Sequence, residues 1–384
     1  MLKIDELFKA IDEKESEFIN IWQDVCNIES PTEYKKGVDA VGNYFAKYAK
    51  AQGWDVEKFV QECVGDCVCI TMNKENKNKP ITLSGHIDTV HPVGSFGTPA
   101  VRMDENNIYG PGVMDCKGGA VAALMAMTAL KTIGFTDRPI RLILQTDEEV
   151  NSALSGKKTI NYICEKAADS EAFLNCESTR GNTAVLWRKG ILRYLFEVFG
   201  QSIHASRCAE GGASAVREAA YKIIELEKMK DKDGLTFNCG IINGGTSANT
   251  VPDFCSFTAE IRFSTKDELL KGEEMFKTVA EKTYVDGTSC KITEICSRPA
   301  MEKCERNFKL LEKINEIYKA CGLPELTARQ SLGGSDAAEV TQSGIPCVDS
   351  IGVAGDKIHT PQEYAILSSL AEAAKRIAAV CFMI

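Results

Sequence analysis

Three consecutive acids, Asp147, Glu148 and Glu149, close the apolar run Arg141-Leu-Ile-Leu-Gln-Thr. An apolar strand ordinarily ends in a turn, and crowding three carboxyls at its tip costs electrostatic energy unless a cation or a proton relieves it. The chain must therefore fold so that other groups converge on this strand end. The candidates lie where apolar runs stop. His86 and Asp88 close Ile81-Thr-Leu-Ser-Gly-His-Ile-Asp, Glu177 closes Ala172-Phe-Leu-Asn-Cys-Glu, and His359 follows Ser350-Ile-Gly-Val-Ala-Gly. Asp115 sits in Tyr109-Gly-Pro-Gly-Val-Met-Asp-Cys-Lys-Gly-Gly. Open α/β sheets place their sites at such strand ends.

The periodicity supports that kind of sheet. Helical spacing runs from the start to about Asn27 and over Gly37–Ala51; strands are expected at Cys67–Met72, Ile81–Ser84, Arg141–Thr146 and Ala172–Cys176. Helices are expected at Ala120–Leu130 and Lys158–Lys166. This alternation predicts a mostly parallel sheet covered by helices. Near Trp187 the pattern changes to strand Ile191–Phe199, helix Ala213–Met229, strands Thr236–Ile242 and Cys255–Phe263, helix Lys266–Lys282 and strand Lys291–Cys296. That order is ferredoxin-like. After Arg298-Pro299 the first style returns, with helix Glu305–Ala320, the turn Leu332-Gly-Gly-Ser, strand Pro346–Ile351 and a last helix over Leu367–Ala379. At 384 residues two domains are the default. The expectation is an α/β domain of residues 1–187 and 299–384, interrupted by an α+β domain of residues 188–298.

Composition narrows the function classes. The net charge of −9 argues against nucleic acid and anionic membrane as partners. There is no window of about 18 apolar residues, so no membrane span is expected. The start, Met1-Leu-Lys-Ile-Asp-Glu-Leu-Phe-Lys-Ala-Ile, reads as an amphipathic helix and not a signal peptide. A cytoplasmic location follows as the expectation, with the sixteen cysteines as reduced thiols. Cys67 and Cys69 alternate with Val68 and Ile70, which favours a strand over a metal cluster with Cys63.

His86, Asp115, Glu149, Glu177 and His359 are borderline-to-hard ligands that suit Zn²⁺, with Co²⁺ or Mn²⁺ as substitutes. One ion rarely uses five protein ligands and keeps an open position, whereas two ions sharing a carboxylate use all five. Glu148 is then left over as a general base on the attacking water. Asp88, two residues from His86, can orient its imidazole. Of the four histidines, His86, His204 and His359 sit in glycine- or small-residue-rich ends of strands or loops. His91, in Val90-His-Pro, is expected to serve a surface or packing role. Lys117-Gly118-Gly119 reads as a close backbone approach at a helix start, and Met125 and Met127 read as core.

Ser84-Gly-His-Ile-Asp-Thr-Val, Gly110-Pro-Gly-Val-Met-Asp-Cys-Lys-Gly-Gly and Thr146-Asp-Glu-Glu resemble signatures of the two-zinc exopeptidase and deacylase family. That family includes glutamate carboxypeptidase, acetylornithine deacetylase, succinyl-diaminopimelate desuccinylase and aminoacylases. The resemblance implies a zinc exopeptidase-like fold with an inserted dimerisation domain. It implies His86 and Glu177 on one zinc, Glu149 and His359 on the other, Asp115 bridging them and Glu148 as base. It also implies a cis peptide between Asp115 and Cys116. In the inserted domain it implies that His204, in Gly200-Gln-Ser-Ile-His-Ala-Ser, stabilises the oxyanion in the partner subunit's site. Asn249 and Arg262 would hold the substrate's carboxylate end, and the loop Gly333-Gly334-Ser335-Asp336 would line the same pocket. Arg298-Pro-Ala and Gly333-Gly-Ser-Asp-Ala-Ala look most like the glutamate carboxypeptidase branch. One departure is Cys208-Ala-Glu-Gly-Gly-Ala-Ser214-Ala, with Ser214 where the family has asparagine; serine can still start a helix.

Together these features point to a cytoplasmic, homodimeric, two-zinc hydrolase that cleaves an amide next to a free carboxylate. An N-acyl amino-acid deacylase on the same machinery is the second reading. A non-catalytic thiol or redox protein would be expected to lack a ligand or the base, and none is missing.

Overall fold

A computed structural model of the chain describes residues 2–229 and 234–384. In chain order its elements are α1 (Leu2–Asn27), α2 (Lys35–Ala51), β1 (Asp55–Phe59), β2 (Cys67–Met72), β3 (Ile81–His86), β4 (Arg102–Met103), β5 (Asn107–Tyr109), α3 (Lys117–Thr132), β6 (Ile140–Gln145), α4 (Lys158–Ala167), β7 (Ala172–Asn175) and β8 (Thr183–Arg188). Then come β9 (Gly190–Phe199), α5 (Ala215–Glu227), β10 (Thr236–Gly244), β11 (Phe254–Phe263), α6 (Lys266–Glu281) and β12 (Ser289–Arg298). The chain closes with α7 (Glu305–Ala320), β13 (Thr327–Ser331), α8 (Ala337–Gln342), β14 (Cys347–Asp349), β15 (Gly355–Asp356), β16 (Tyr364–Ile366) and α9 (Ser369–Met383). Two compact units result: residues 1–187, 303–330 and 335–384, and residues 188–302 with 331–334.

The first unit is built on an eight-stranded sheet in the order β1-β2-β6-β3-β7-β14-β8-β13. Its centre, β6, β3, β7 and β14, is parallel. Towards the edges, β1 with β2, β2 with β6 and β14 with β8 pair antiparallel. β2 and β3 are buried along their whole length, as strands covered on both faces must be. Alternate residues Ile81, Leu83, Leu142, Leu144 and Leu174 join α1, α3 and α9 in the main core. α3 is buried from Lys117 to Leu130, which explains why its sequence is apolar all round instead of striped. Met125 and Met127 are among these core residues. A Cβ on Gly119 would lie 1.8 Å from the Cys176 carbonyl oxygen, so only glycine lets α3 approach the end of β7 this closely. The first unit also holds a small four-stranded sheet, β15-β16-β5-β4. Among the described residues no helix is long and apolar enough to cross a membrane.

The second unit has the strand–helix–strand–strand–helix–strand order and a four-stranded antiparallel sheet, β10-β11-β9-β12. β11 alternates buried and partly exposed positions, as expected of a sheet with one better-covered face. Phe196 stacks on Phe257 with ring centroids 4.6 Å apart, and Phe276 meets both Phe196 and Phe237 edge-on. Ser214 caps α5 by accepting from Arg217 N at 3.2 Å, so the departure there preserves the helix start. Ser331–Gly334 was expected in the first domain but clusters with the second unit. The reason is local: Arg188 Nη1 donates to Ser331 Oγ and to the carbonyls of Gly333 and Gly334, and Arg262 Nη1 donates to the Leu332 carbonyl.

Candidate active site

The parallel strands of the first unit deliver their ends side by side. His86 is the last residue of β3 and stands level with Gln145 of β6. β6 runs on through Thr146 and Asp147 into a single 3₁₀ turn, Glu148–Val150. Glu177 lies two residues beyond β7. His359 sits in the loop between β15 and β16, with φ +61°, a left-handed conformation that non-glycine residues rarely hold. Asp115 precedes α3, and its peptide bond to Cys116 is cis.

These segments bring the expected ligands together. Asp115 presents its two oxygens to different imidazoles: Oδ1 is 3.1 Å from His86 Nε2, and Oδ2 is 3.2 Å from His359 Nε2. Glu177 Oε1 lies 3.6 Å from His86 Nε2, and Glu149 Oε2 lies 3.2 Å from His359 Nε2. The cluster is therefore two imidazole–carboxylate pairs joined through one carboxylate. Potential ligand atoms of His86, Asp115 and Glu149 lie within 4.8 Å of one another. So do those of His86, Glu177 and Cys116, a thiol that sequence analysis did not single out.

Burial shapes the charges here. It pushes the Glu149 carboxyl up to about 8 despite the hydrogen bond with His359, and it pushes Glu177 well above the usual carboxylate range. The Glu148 charge adds to both upward shifts, so Glu148 lies close to both halves of the cluster. Burial also works against ionisation of Asp115, but hydrogen bonds with His359 and His86 outweigh it and hold that carboxyl low. His359 is raised to about 10 by its bonds to Asp115 and Glu149. His86 is raised well above its ordinary value although burial opposes it, through Cys116, Asp115 and Asp88. Among the described residues, the cationic partners of Asp115, Glu149 and Glu177 are these two imidazoles alone. Imidazole nitrogens and carboxylate oxygens, buried except for the exposed His359 ring and without a fixed positive charge, fit divalent cations.

Asp88 braces the cluster in two ways. Its carbonyl oxygen is 3.0 Å from His86 Nδ1, which fixes the ring and leaves Nε2 facing Asp115 and Glu177. Its carboxylate accepts from Glu148 N at 3.3 Å, Glu149 N at 3.2 Å and Thr32 Oγ1 at 2.8 Å. Asp147 turns away from the cluster. Its carboxylate accepts from Thr159 Oγ1 at 2.5 Å and Ser155 N at 3.0 Å, and so orders the loop into α4. His91 is buried and bonded to Glu363, a residue sequence analysis passed over. Ser335 is fully buried; its hydroxyl oxygen accepts from Asn175 Nδ2 at 2.9 Å and from Ala337 N at 3.3 Å, which anchors its loop.

The second unit carries His204, Asn249, Arg262 and Gly333. His204 is exposed, and its Nδ1 accepts from Ser206 N at 3.3 Å, which puts the ring proton on Nε2. Ala205 N donates to the Asn249 carbonyl at 2.8 Å, and Thr250 pairs with His204, so His204 and Asn249 lie side by side. Arg262 Nε donates to Glu260 at 2.7 Å, and its bond to Leu332 brings it beside Gly333.

Residues 82–382 match the model of a family described as peptidase family M20/M25/M40. The chain is 27% identical over 369 residues to carboxypeptidase G2 of Pseudomonas sp. (strain RS-16), covering 95% of this chain and 88% of that one. It is 26% identical over 249 residues to a putative succinyl-diaminopimelate desuccinylase of Mycobacterium tuberculosis, covering 62% of this chain and 66% of that one. Its fold is similar to that of a tripeptidase from Staphylococcus aureus, with a TM-score of 0.80 at 24% identity, covering 96% of this chain and 98% of that one.

Proposed function

The chain belongs to peptidase family M20/M25/M40, a family of metal-dependent hydrolases of peptide or amide bonds, and from that premise we propose that it is a two-zinc exopeptidase that cleaves an amide beside a free carboxylate. The observation that carries this reading is Asp115, whose two oxygens face different imidazoles. His86 and Glu177 would hold one ion, Glu149 and His359 the other, and Asp115 both. Two zinc ions so held would polarise a scissile carbonyl and favour a nucleophilic water at neutral pH, and Co²⁺ or Mn²⁺ could substitute. Glu148 takes the proton from that water and passes it to the leaving amine. Asp88 keeps base and ligands in register through the two Glu amides and the His86 ring.

In the second unit, the outward Nε2–H of His204 supplies the oxyanion donor. Asn249 and Arg262 take the substrate's terminal carboxylate, with Nη2 as the guanidinium nitrogen not engaged by Glu260 or Leu332. Gly333 contributes backbone to that pocket and Ser335 holds the loop in place. We place the enzyme in the cytoplasm as a homodimer. Support for the dimer comes from β10, an edge strand on which Ile241 and Ile242 are 59% and 52% exposed.

Relatives named as carboxypeptidase and as desuccinylase make an N-acyl amino-acid deacylase the second reading. A panel of dipeptides ending in acidic or neutral residues, set against N-acetyl and N-succinyl amino acids, separates the two. Purified protein is expected to hold about two equivalents of metal, lose activity on chelation, regain it with Zn²⁺, and prefer the dipeptides. Preference for the acyl amino acids would replace the first reading with the second.

The role of His204 has its own test. Mixing inactive His204→Ala chains with inactive Glu148→Gln chains under subunit exchange is expected to restore activity. The heterodimer then holds one site with an intact base and an intact partner histidine. No recovery after confirmed exchange would show that His204 does not serve the partner's site.

A further inference from the structure

One buried histidine takes no part in the ligand cluster. His91 is 6% exposed, and its Nε2–H donates to Glu363 Oε2 at 2.7 Å. Glu363 is itself 1% exposed. Its carboxylate accepts from Met114 N at 2.9 Å and Asp115 N at 3.1 Å through Oε1, and from Gly112 N at 3.4 Å through Oε2. Its carbonyl accepts from Gly110 N at 3.3 Å. A carboxylate sunk this deep is costly unless donors fill its acceptor sites, and here backbone amides and one imidazole fill them.

The place of Glu363 in the chain gives this cradle its meaning. It stands four residues after His359 and immediately before β16, whose Tyr364 pairs with Tyr109 of β5. One side chain therefore ties the loop that carries His359 to the turn that carries Asp115. Those two side chains meet 3.2 Å apart. His91 comes from a third segment, just beyond Asp88, and holds the carboxylate in its orientation.

We propose that Glu363, steered by His91, is a positioning residue that sets Asp115 against His359 and thereby sets how tightly the chain holds its metal ions. The inference rests on the reading of the cluster as a metal centre. Neither residue touches substrate or reacting atoms. The pair acts on the ligands through the backbone of the turn, in the manner of outer-shell partners that orient a ligand.

The test measures Zn²⁺ affinity by competition with a chromophoric chelator, alongside the melting temperature of the metal-free protein. Wild type, Glu363→Ala, His91→Phe and His91→Gln are compared. Glu363→Ala is expected to weaken Zn²⁺ binding by about 10- to 100-fold, and His91→Phe by about tenfold. His91→Gln retains a donor toward the carboxylate and should recover most of the affinity that His91→Phe loses. If Glu363→Ala does not fold, the two His91 variants decide. Variants that bind Zn²⁺ like wild type would overturn the inference. So would losses that follow the metal-free melting temperature with no rescue in His91→Gln. A wild-type chain that takes up no divalent cation would sink the metal-centre reading and the inference with it; wild-type uptake with unaltered variants would sink the inference alone.

Discussion

A chain carrying Glu148→Gln is expected to fold, to take up metal as the wild type does, and to hydrolyse substrate about 10³-fold more slowly, within the range ascribed to a positioned acid–base group. The substitution keeps the shape of a side chain that is 9% exposed, and it leaves the bond from Glu148 N to Asp88 intact. What it removes is a carboxylate able to accept a proton. Its charge also disappears from beside Glu149 and Glu177, both of which it pushes upward, so ligand repulsion falls and metal uptake should not suffer. The measurement is kcat on protein of known metal content, with circular dichroism as the control for folding. Wild-type turnover in the loaded variant would remove Glu148 from the reaction.

Asp115→Ala is expected to abolish activity and to weaken metal binding by more than about 100-fold, beyond the loss an outer-shell partner causes. Among the described residues, Asp115 is the one carboxylate that meets both His86 and His359. Without it the cluster separates into His86 with Glu177 and His359 with Glu149, each too sparse to hold an ion firmly. Equilibrium dialysis against buffered Zn²⁺ reads this directly. Two equivalents bound at wild-type affinity would mean that the two halves do not depend on a shared ligand.

Much of this arrangement was legible in the sequence because chemistry was written at strand ends. His86 closes β3, and Glu149 and Glu177 lie just beyond β6 and β7, strands whose ends are easy to find because the runs Leu142-Ile-Leu and Ala172-Phe-Leu are apolar. The long helices α1 and α7 coincide with the periods expected for them. Strand direction at the sheet edges was less accessible. Burial makes a run apolar whether its neighbour is parallel or antiparallel, so the antiparallel pairing of β1, β2 and β8 left no trace. The small sheet was invisible for another reason. β4, β5, β15 and β16 are two or three residues long, too short for any alternation to register.

The miss that matters most concerns partners far apart in the chain. His91 and Glu363 are separated by 272 positions, and nothing near either one announces the other. His91 looked like a surface or packing residue because it matched no ligand pattern. A carboxylate serving backbone amides has no side-chain motif to betray it. Asp147 shows the opposite error: three acids in a row suggested a shared purpose, yet its carboxylate serves Ser155 and Thr159.

The short loop Ser331–Gly334 has a consequence for anyone who would recombine such enzymes. The second unit looks like a single cassette, a continuous stretch from Arg188 to Glu302, ready to be exchanged between relatives to carry one substrate preference into another frame. It is not self-contained. Arg188 and Arg262 clasp a tetrapeptide encoded some thirty codons downstream of the cassette's end. A chimera that swaps only the contiguous segment pairs a foreign Arg262 with a native loop. Exchanging residues 188–302 and 331–334 together keeps that clasp with its own arginines, and is the smallest exchange that preserves it.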